Sequence, residues 1–135
     1  MERHFWLAVA AYLLPTFPLG YVWHLNLFRE QYERLAVYRE QVIIPFGLAS
    51  MSIQALVFAW LYPRIFTTAP DAWLSGAAGF GSVFGLLAWS FTTLPVVAKY
   101  RMTSLGSFLL LESGFTALQF LVVLPLVALA WRGAA

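Results

Sequence analysis

Cysteine is missing altogether, and charge nearly so: only 10% of the residues are Asp, Glu, Lys or Arg. The first absence excludes disulfides, a thiolate nucleophile and cysteine-ligated metals or clusters. The second excludes an ordinary soluble surface, since about a quarter of the residues in soluble domains are charged. The formal charge of +2 is spread thinly along 135 residues and forms no basic block, so a nucleic-acid partner lacks its electrostatic footprint. No His-x-x-x-His pair offers a metal site. The glycine-rich run GAAGFGSVFG precedes no Lys-Ser/Thr and follows no strand, so it is no phosphate loop. No internal repeat or low-complexity segment is visible, and nothing in the chain calls for a cofactor.

What is present is apolar length. Hydrophobic residues make up 61% of the chain and the mean hydropathy is +0.77. A helix needs roughly 20 mostly apolar residues to cross a bilayer. The pattern predicts an all-α integral membrane protein with a single domain over residues 1–135, and four transmembrane helices at about 5–23, 42–66, 73–98 and 105–131. The opening MERHFWLAVAAYLLPTFPLG reads as the first span rather than a leader peptide, because no small-x-small site follows and the apolar run continues through Trp23. Pro15, Pro18, Pro45, Pro95 and Pro125 each remove an amide donor and are expected to bend their helices, which membrane bundles tolerate.

Between the first two spans lies the charge-rich part of the chain, NLFREQYERLAVYREQ. Arg29/Glu33 and Glu30/Arg34 have i, i+4 spacing, and Leu25, Phe28, Tyr32 and Leu35 recur on the opposite face. An amphipathic helix over about 25–40, parallel to the membrane, is expected. Of the eight Lys and Arg, Arg29, Arg34, Arg39, Lys99 and Arg101 fall in the first and third loops. That bias places both termini outside the cytoplasm.

Polar residues inside the spans are few. Glu112 would lie about 12 Å along a last helix capped by Thr103 or Ser104. Thr116 and Gln119 follow it at i+4 and i+7, and the second span carries Gly47, Ser50 and Gln54 at i, i+3 and i+7. Two such stripes facing each other would form a polar seam. With Lys99, Arg101 and Arg64 all near the ends of spans, Glu112 is expected to stay largely protonated and to bond Gln54 or Ser50. In the third span Ala77, Gly81, Gly85 and Ala88 form a small-residue ridge for close helix packing, either within the bundle or between copies. His4 and His24 bracket the first span about 30 Å apart, which rules out a shared haem iron and places both at the interface beside an aromatic belt.

Two segments, LGYVWHLNLFREQYERL and SLGSFLLLESGFTALQFLVV, resemble the small bacterial four-helix membrane proteins of the domain-of-unknown-function family numbered 1761. Gly20 and Trp23 match that family's Gly-x-x-Trp near the end of the first helix. Leu109 through Phe115 is similar to its Leu-Phe-Leu-Ile-Asn-Ser-Gly-Tyr run, with Glu112 standing where the family carries Asn. The resemblance implies a four-helix fold in a bacterial inner membrane and no particular activity. A neutral amide at that position would also weigh against obligatory proton transfer there.

Three functions follow. Transport or binding of a small ligand along the polar seam comes first. A non-catalytic accessory role in a homo-oligomer or larger membrane complex comes second, and an intramembrane enzyme acting on lipid or quinone last. The enzyme lacks a visible second catalytic group beside Glu112.

Overall fold

The structure, a computed structural model, describes residues 1–134. Six α-helices follow one another: α1 (Glu2–Val22), α2 (Arg29–Leu35), α3 (Ile44–Ile65), α4 (Trp73–Thr92), α5 (Leu94–Lys99) and α6 (Leu105–Trp131). There is no strand among the described residues. Four segments are long and apolar enough to cross a membrane: Glu2–Leu27, Ile44–Ile65, Trp73–Lys99 and Leu105–Trp131.

Local chemistry sets the ends. Ser104 caps α6, its hydroxyl accepting from the Ser107 amide at 3.2 Å, which satisfies one of the donors a helix start leaves open. The third span is divided at Thr93, two residues before Pro95, whose ring nitrogen cannot donate back into α4. Pro45 behaves differently from the expected bend: it occupies the first turn of α3, where no amide donor is required. Pro15, Pro18 and Pro125 lie within continuous helices.

The first connection departs most from expectation. Instead of one helix over 25–40, α1 runs on into a π turn, Trp23–Leu27, closed by the Phe28 amide on the Trp23 carbonyl at 3.0 Å. Helix α2 then covers seven residues and stops where Ala36 turns left-handed at φ 56°. The amphipathic pattern does describe α2 itself. Tyr32 and Leu35 are buried, while Arg29–Glu33 and Arg34–Glu30 pair on the exposed face.

In the bundle, α1 packs between α3 and α6, and α6 packs between α1 and α4. Between α3 and α4 the gap is filled by aromatic rings, Phe58 and Tyr62 meeting Phe80 edge-on at 5.3 Å each. The main core gathers toward the termini, around Tyr12, Tyr62, Phe80, Val127 and Trp131. That end is tied by Gly133 donating to the Thr68 carbonyl and His4 against the Ala130 carbonyl. At the opposite end a smaller cluster of Tyr32, Leu35 and Phe108 sits under the first connection, and Thr103 bonds the Arg34 and Leu35 carbonyls. There the first seven residues of α3 are all exposed. The bundle is sealed at one end and parted at the other.

Candidate functional site: a lateral cleft over Glu112

The parted end holds a cleft of about 810 Å³ between the start of α3 and the α4–α5 junction. Gly47 and Met51 of α3 line one side, Thr92 and Val96 the other. Its floor comes from α1 and α6: Gly20, His24, Phe115 and Glu112. A single carboxyl group thus lies at the bottom of a mainly apolar recess.

Glu112 Oε1 accepts from the Tyr32 hydroxyl at 2.6 Å and lies 3.3 Å from His24 Nε2. The side chains of His24 and Glu112 are only 17% and 14% exposed, so this contact is largely screened from solvent. The other imidazole nitrogen, Nδ1, is 2.9 Å from the Gly20 carbonyl. A carbonyl only accepts, so Nδ1 carries a hydrogen and the tautomer follows from that bond. A hydrogen bond between Nε2 and Oε1 then requires one further proton, on the imidazole or on the carboxyl, and with that proton the pair is neutral as a whole.

The π turn makes this geometry available. His24 lies inside it, one helical turn beyond Gly20, and the ring meets the edge of Phe115 at 4.4 Å. π turns are rare and concentrate at functional sites. Gly20 keeps the wall of the cleft close-packed: a Cβ there would come to 3.0 Å from the terminal methyl of Met51, which would have to shift slightly, and to ordinary contact with Phe115 at 3.7 Å. On the other flank, Tyr38 stacks on Tyr32 at 4.9 Å, nearly parallel. Burial, reinforced by the neighbouring Glu112, holds the Tyr32 phenol well above the ordinary tyrosine range, and Tyr38 moves in the same direction for the same reasons. Tyr32 therefore remains a hydrogen-bond donor at any ordinary pH.

The expected bond from Glu112 to Gln54 or Ser50 is replaced by these contacts. Ser50 and Gln54 belong instead to a separate chain of hydrogen bonds. Gln54 donates to Ser50 at 3.1 Å and accepts from Tyr12 at 2.6 Å, and Gln119 donates to Tyr12 at 3.1 Å. The two stripes do meet, but through Tyr12 of α1, and Glu112 stands outside the seam. Thr116 is buried in α6 beside Gln119. Ser113, next to Glu112, accepts from the Trp89 indole at 2.9 Å.

The small-residue ridge faces α6 and is partly covered by it, while Ala77, Gly81 and Gly85 also line an apolar groove of about 710 Å³ between α4 and α6. A Cβ on Gly81 would approach Leu124 to 2.9 Å, and one on Gly85 would approach Phe120 to 3.3 Å. Ala77 is buried and Ala88 packs on the same core. Gly81 and Gly85 thus let α4 lie close to α6, while Gly76 leaves room for the Tyr62 ring of α3.

His24, Tyr32 and Tyr38 are the site residues that reading the sequence missed. Topology held the signal for His24. With the first and third loops at one end of the bundle, the end of the first span and the start of the last share a level, which brings His24 beside Glu112. No grouping of three or more His, Asp or Glu side chains suited to a metal occurs among the described residues. No protein-family model, curated protein or solved structure matches the chain.

Proposed function

We propose that the chain is a multi-pass membrane protein that binds a small, partly apolar molecule in the cleft, polar end toward Glu112, His24 and Tyr32, as a binding or transport site. The observation that carries this is the carboxyl–imidazole contact of Glu112 and His24 at the bottom of a mainly apolar recess of about 810 Å³. Ligand sites are mostly apolar cavities of about 300–1,000 Å³ with a few convergent polar groups, and intramembrane acids are functional by default.

The membrane setting is part of the same proposal. Side chains such as Leu14, Phe46, Phe91 and Leu121 are more than two-thirds exposed on the four long helices, a burden that hydrocarbon removes. The excess of Lys and Arg in the first and third loops puts the cleft's end of the bundle in the cytoplasm and the termini outside. Helix α2 would lie at the interface, its charged face in water. The likeness to the family numbered 1761 and a bacterial inner membrane belong to this reading and add no activity to it. The accessory-subunit alternative draws on Ala77, Gly81 and Gly85, which face Leu124 and Phe120 of α6 and line an apolar groove between α4 and α6.

Gly47 supplies the test. A Cβ there would have nothing within 4 Å, and Gly47 lines the cleft, so a large side chain starts in open space at the cleft wall and is expected to narrow it. Native mass spectrometry of protein released from nanodiscs, offered single-chain amphiphiles with ammonium, hydroxyl or phosphate heads, should show at least one that binds the wild type and is lost in Gly47→Phe. If none is sensitive to Gly47→Phe, the cleft is not a ligand site.

A further inference from the structure

The cleft is not the only recess that His24 lines. A second cavity of about 590 Å³ opens beside the first connection, walled by Arg29, Tyr32, Glu33, Arg39 and Glu40. The two adjoin along a broad common wall that includes Tyr21, His24, Leu25, Tyr38 and Arg39. Glu112 lines the cleft alone, whereas Tyr32 lines the polar cavity alone. The His24 ring and Tyr32 hydroxyl thus stand where the apolar recess passes into the charge-lined one, both touching the same oxygen of Glu112.

Resting on the proposed ligand site, we infer that the cleft takes a lipophilic ammonium ion in exchange for the proton shared by Glu112 and His24, and that this proton leaves through His24 to the polar cavity. The exchange balances. The resting pair holds one proton and is neutral; with the ammonium seated, Glu112 is a carboxylate, His24 is neutral, and one proton has gone to water. The N–H bond at Nε2 breaks, or the O–H bond at Oε1 does so by way of Nε2, and no electrons are transferred. Net charge in the recess is the same before and after, so neither state leaves an uncompensated charge in apolar surroundings, which would be costly.

The surroundings favour a cation of this kind. Tyr21, Tyr38 and Phe115 give the cleft aromatic walls beside the carboxyl group, and aromatic faces attract ammonium groups, strongly so when water is excluded. The charged and titratable groups facing Glu112 are His24 from the end of α1, Tyr32 from α2, Tyr38 and Arg39 from the first connection, and Tyr21 and Tyr100 farther out along the cleft. Arg39, which is exposed, is the basic side chain among them that opposes a cation. It stands on the side shared with the polar cavity, next to Glu40 and Glu33. The opening between α3 and the α4–α5 junction is lined by Gly47, Met51, Thr92 and Val96 and carries no charge. A lipophilic cation therefore enters from the side, and the proton exits by the other cavity.

The test uses the full chain in phosphatidylcholine nanodiscs with decyltrimethylammonium, chain-matched decanol and decyl phosphate. Titration calorimetry in buffers of different ionisation enthalpy counts protons. The expected result is about one proton released per ammonium bound, and an affinity about tenfold tighter per unit rise in pH while the pair is protonated. Glu112→Gln should keep its helical circular dichroism and lose both the proton release and the preference for ammonium. Ammonium binding without proton release, or a stronger Gly47-dependent response to decyl phosphate, overturns the exchange. If decanol alone binds in a Gly47-dependent way, the ammonium inference falls and the ligand cleft stands; if no probe does, both fall. His24→Asn, whose side-chain amide lies where Nδ1 does and can still meet the Gly20 carbonyl, should slow proton release in stopped-flow at least tenfold, and an unchanged rate removes His24 from the route.

Discussion

Replacing Glu112 by Leu and by Gln separates the hydrogen-bonding role of this side chain from its charge. In Glu112→Leu two groups lose their partner at once. The Tyr32 hydroxyl belongs to a residue that is 1% exposed, and the screened Nε2 of His24 lies in a ring whose other nitrogen stays fixed on Gly20. Each unsatisfied buried group costs about 1–3 kcal/mol. His24 also lines the polar cavity, where water can meet Nε2 with the ring still held on Gly20, so the expected loss is nearer one group than two, about 2 kcal/mol. Glu112→Gln retains an oxygen to accept from Tyr32 and an NH₂ to donate to neutral Nε2, and should lie within about 0.5 kcal/mol of wild type, as substitutions that preserve their contacts do. Reversible unfolding in mixed micelles, read by indole fluorescence, measures both; Trp23, packed 6.0 Å from Phe115, reports locally. Equal stability of the Leu and Gln variants would show that Tyr32 and His24 do not depend on Glu112, and would remove the pair at the centre of the site.

Glycine substitutions should diverge according to what each Cβ meets. Gly81→Leu should destabilise by about 1–3 kcal/mol, as overpacked contacts do, because Leu124 already approaches to 2.9 Å; Gly47→Ala should stabilise α3 by up to about 1 kcal/mol on helix propensity, and thermal melts compare them. The reverse order would mean that α4 and α6 are not packed as described. With the Tyr32 and Tyr38 phenols held up by burial and by Glu112, the native state keeps protons that the unfolded chain gives up near pH 10. Stability is then steady below that pH and falls as pH rises above it, and tyrosinate absorbance should show a fraction of the six tyrosines ionising only with unfolding. Free titration of all six in a folded protein would contradict the burial of Tyr32, which is 1% exposed, and its bond to Glu112. Reporter fusions at the C-terminus should read as outside, with loops one and three inside, and a cytoplasmic C-terminus would reverse the orientation.

Length and composition made the four long helices legible, because a run of twenty apolar residues has few alternatives. The Ser104 cap, the i, i+4 pairs of α2 and the buried face of Tyr32 and Leu35 were legible for the same local reason. The length of α2 was not. The period of apolar residues continues past Leu35, but a left-handed turn at Ala36 ends the helix, and nothing in Ala, which usually favours helix, announces it. The partners of Glu112 were hidden by distance: His24 is 88 positions away and Tyr32 is 80. Matching polar stripes on α3 and α6 suggested a direct seam, whereas the helix between them, α1, contributes the bridging group. A tyrosine in a long apolar run looks like packing until its neighbours are known.

That tyrosine allows the two polar systems to be told apart. Tyr12 is 1% exposed, donates to Gln54 and accepts from Gln119, which is itself 8% exposed. Tyr12→Phe keeps the ring against Phe58 at 5.2 Å and deletes only the bridge. Gln54, half-buried and still bonded to Ser50, loses little. The amide of Gln119 is left without its donor site filled inside the core, at about 1–3 kcal/mol. Removing the orphan as well should recover most of that loss, because apolar groups replacing both partners can be nearly neutral; Tyr12→Phe/Gln119→Leu is therefore expected to be more stable than Tyr12→Phe alone. A double-mutant cycle on unfolding free energies measures the coupling. If the seam is structural and separate from the cleft, both variants should bind the Gly47-sensitive amphiphile as the wild type does, since no hydrogen bond links Tyr12 or Gln119 to Glu112. A loss of binding in the stable double variant would show that the seam and the cleft act as one path, and would return Ser50, Gln54, Thr116 and Gln119 to the route a ligand or proton takes.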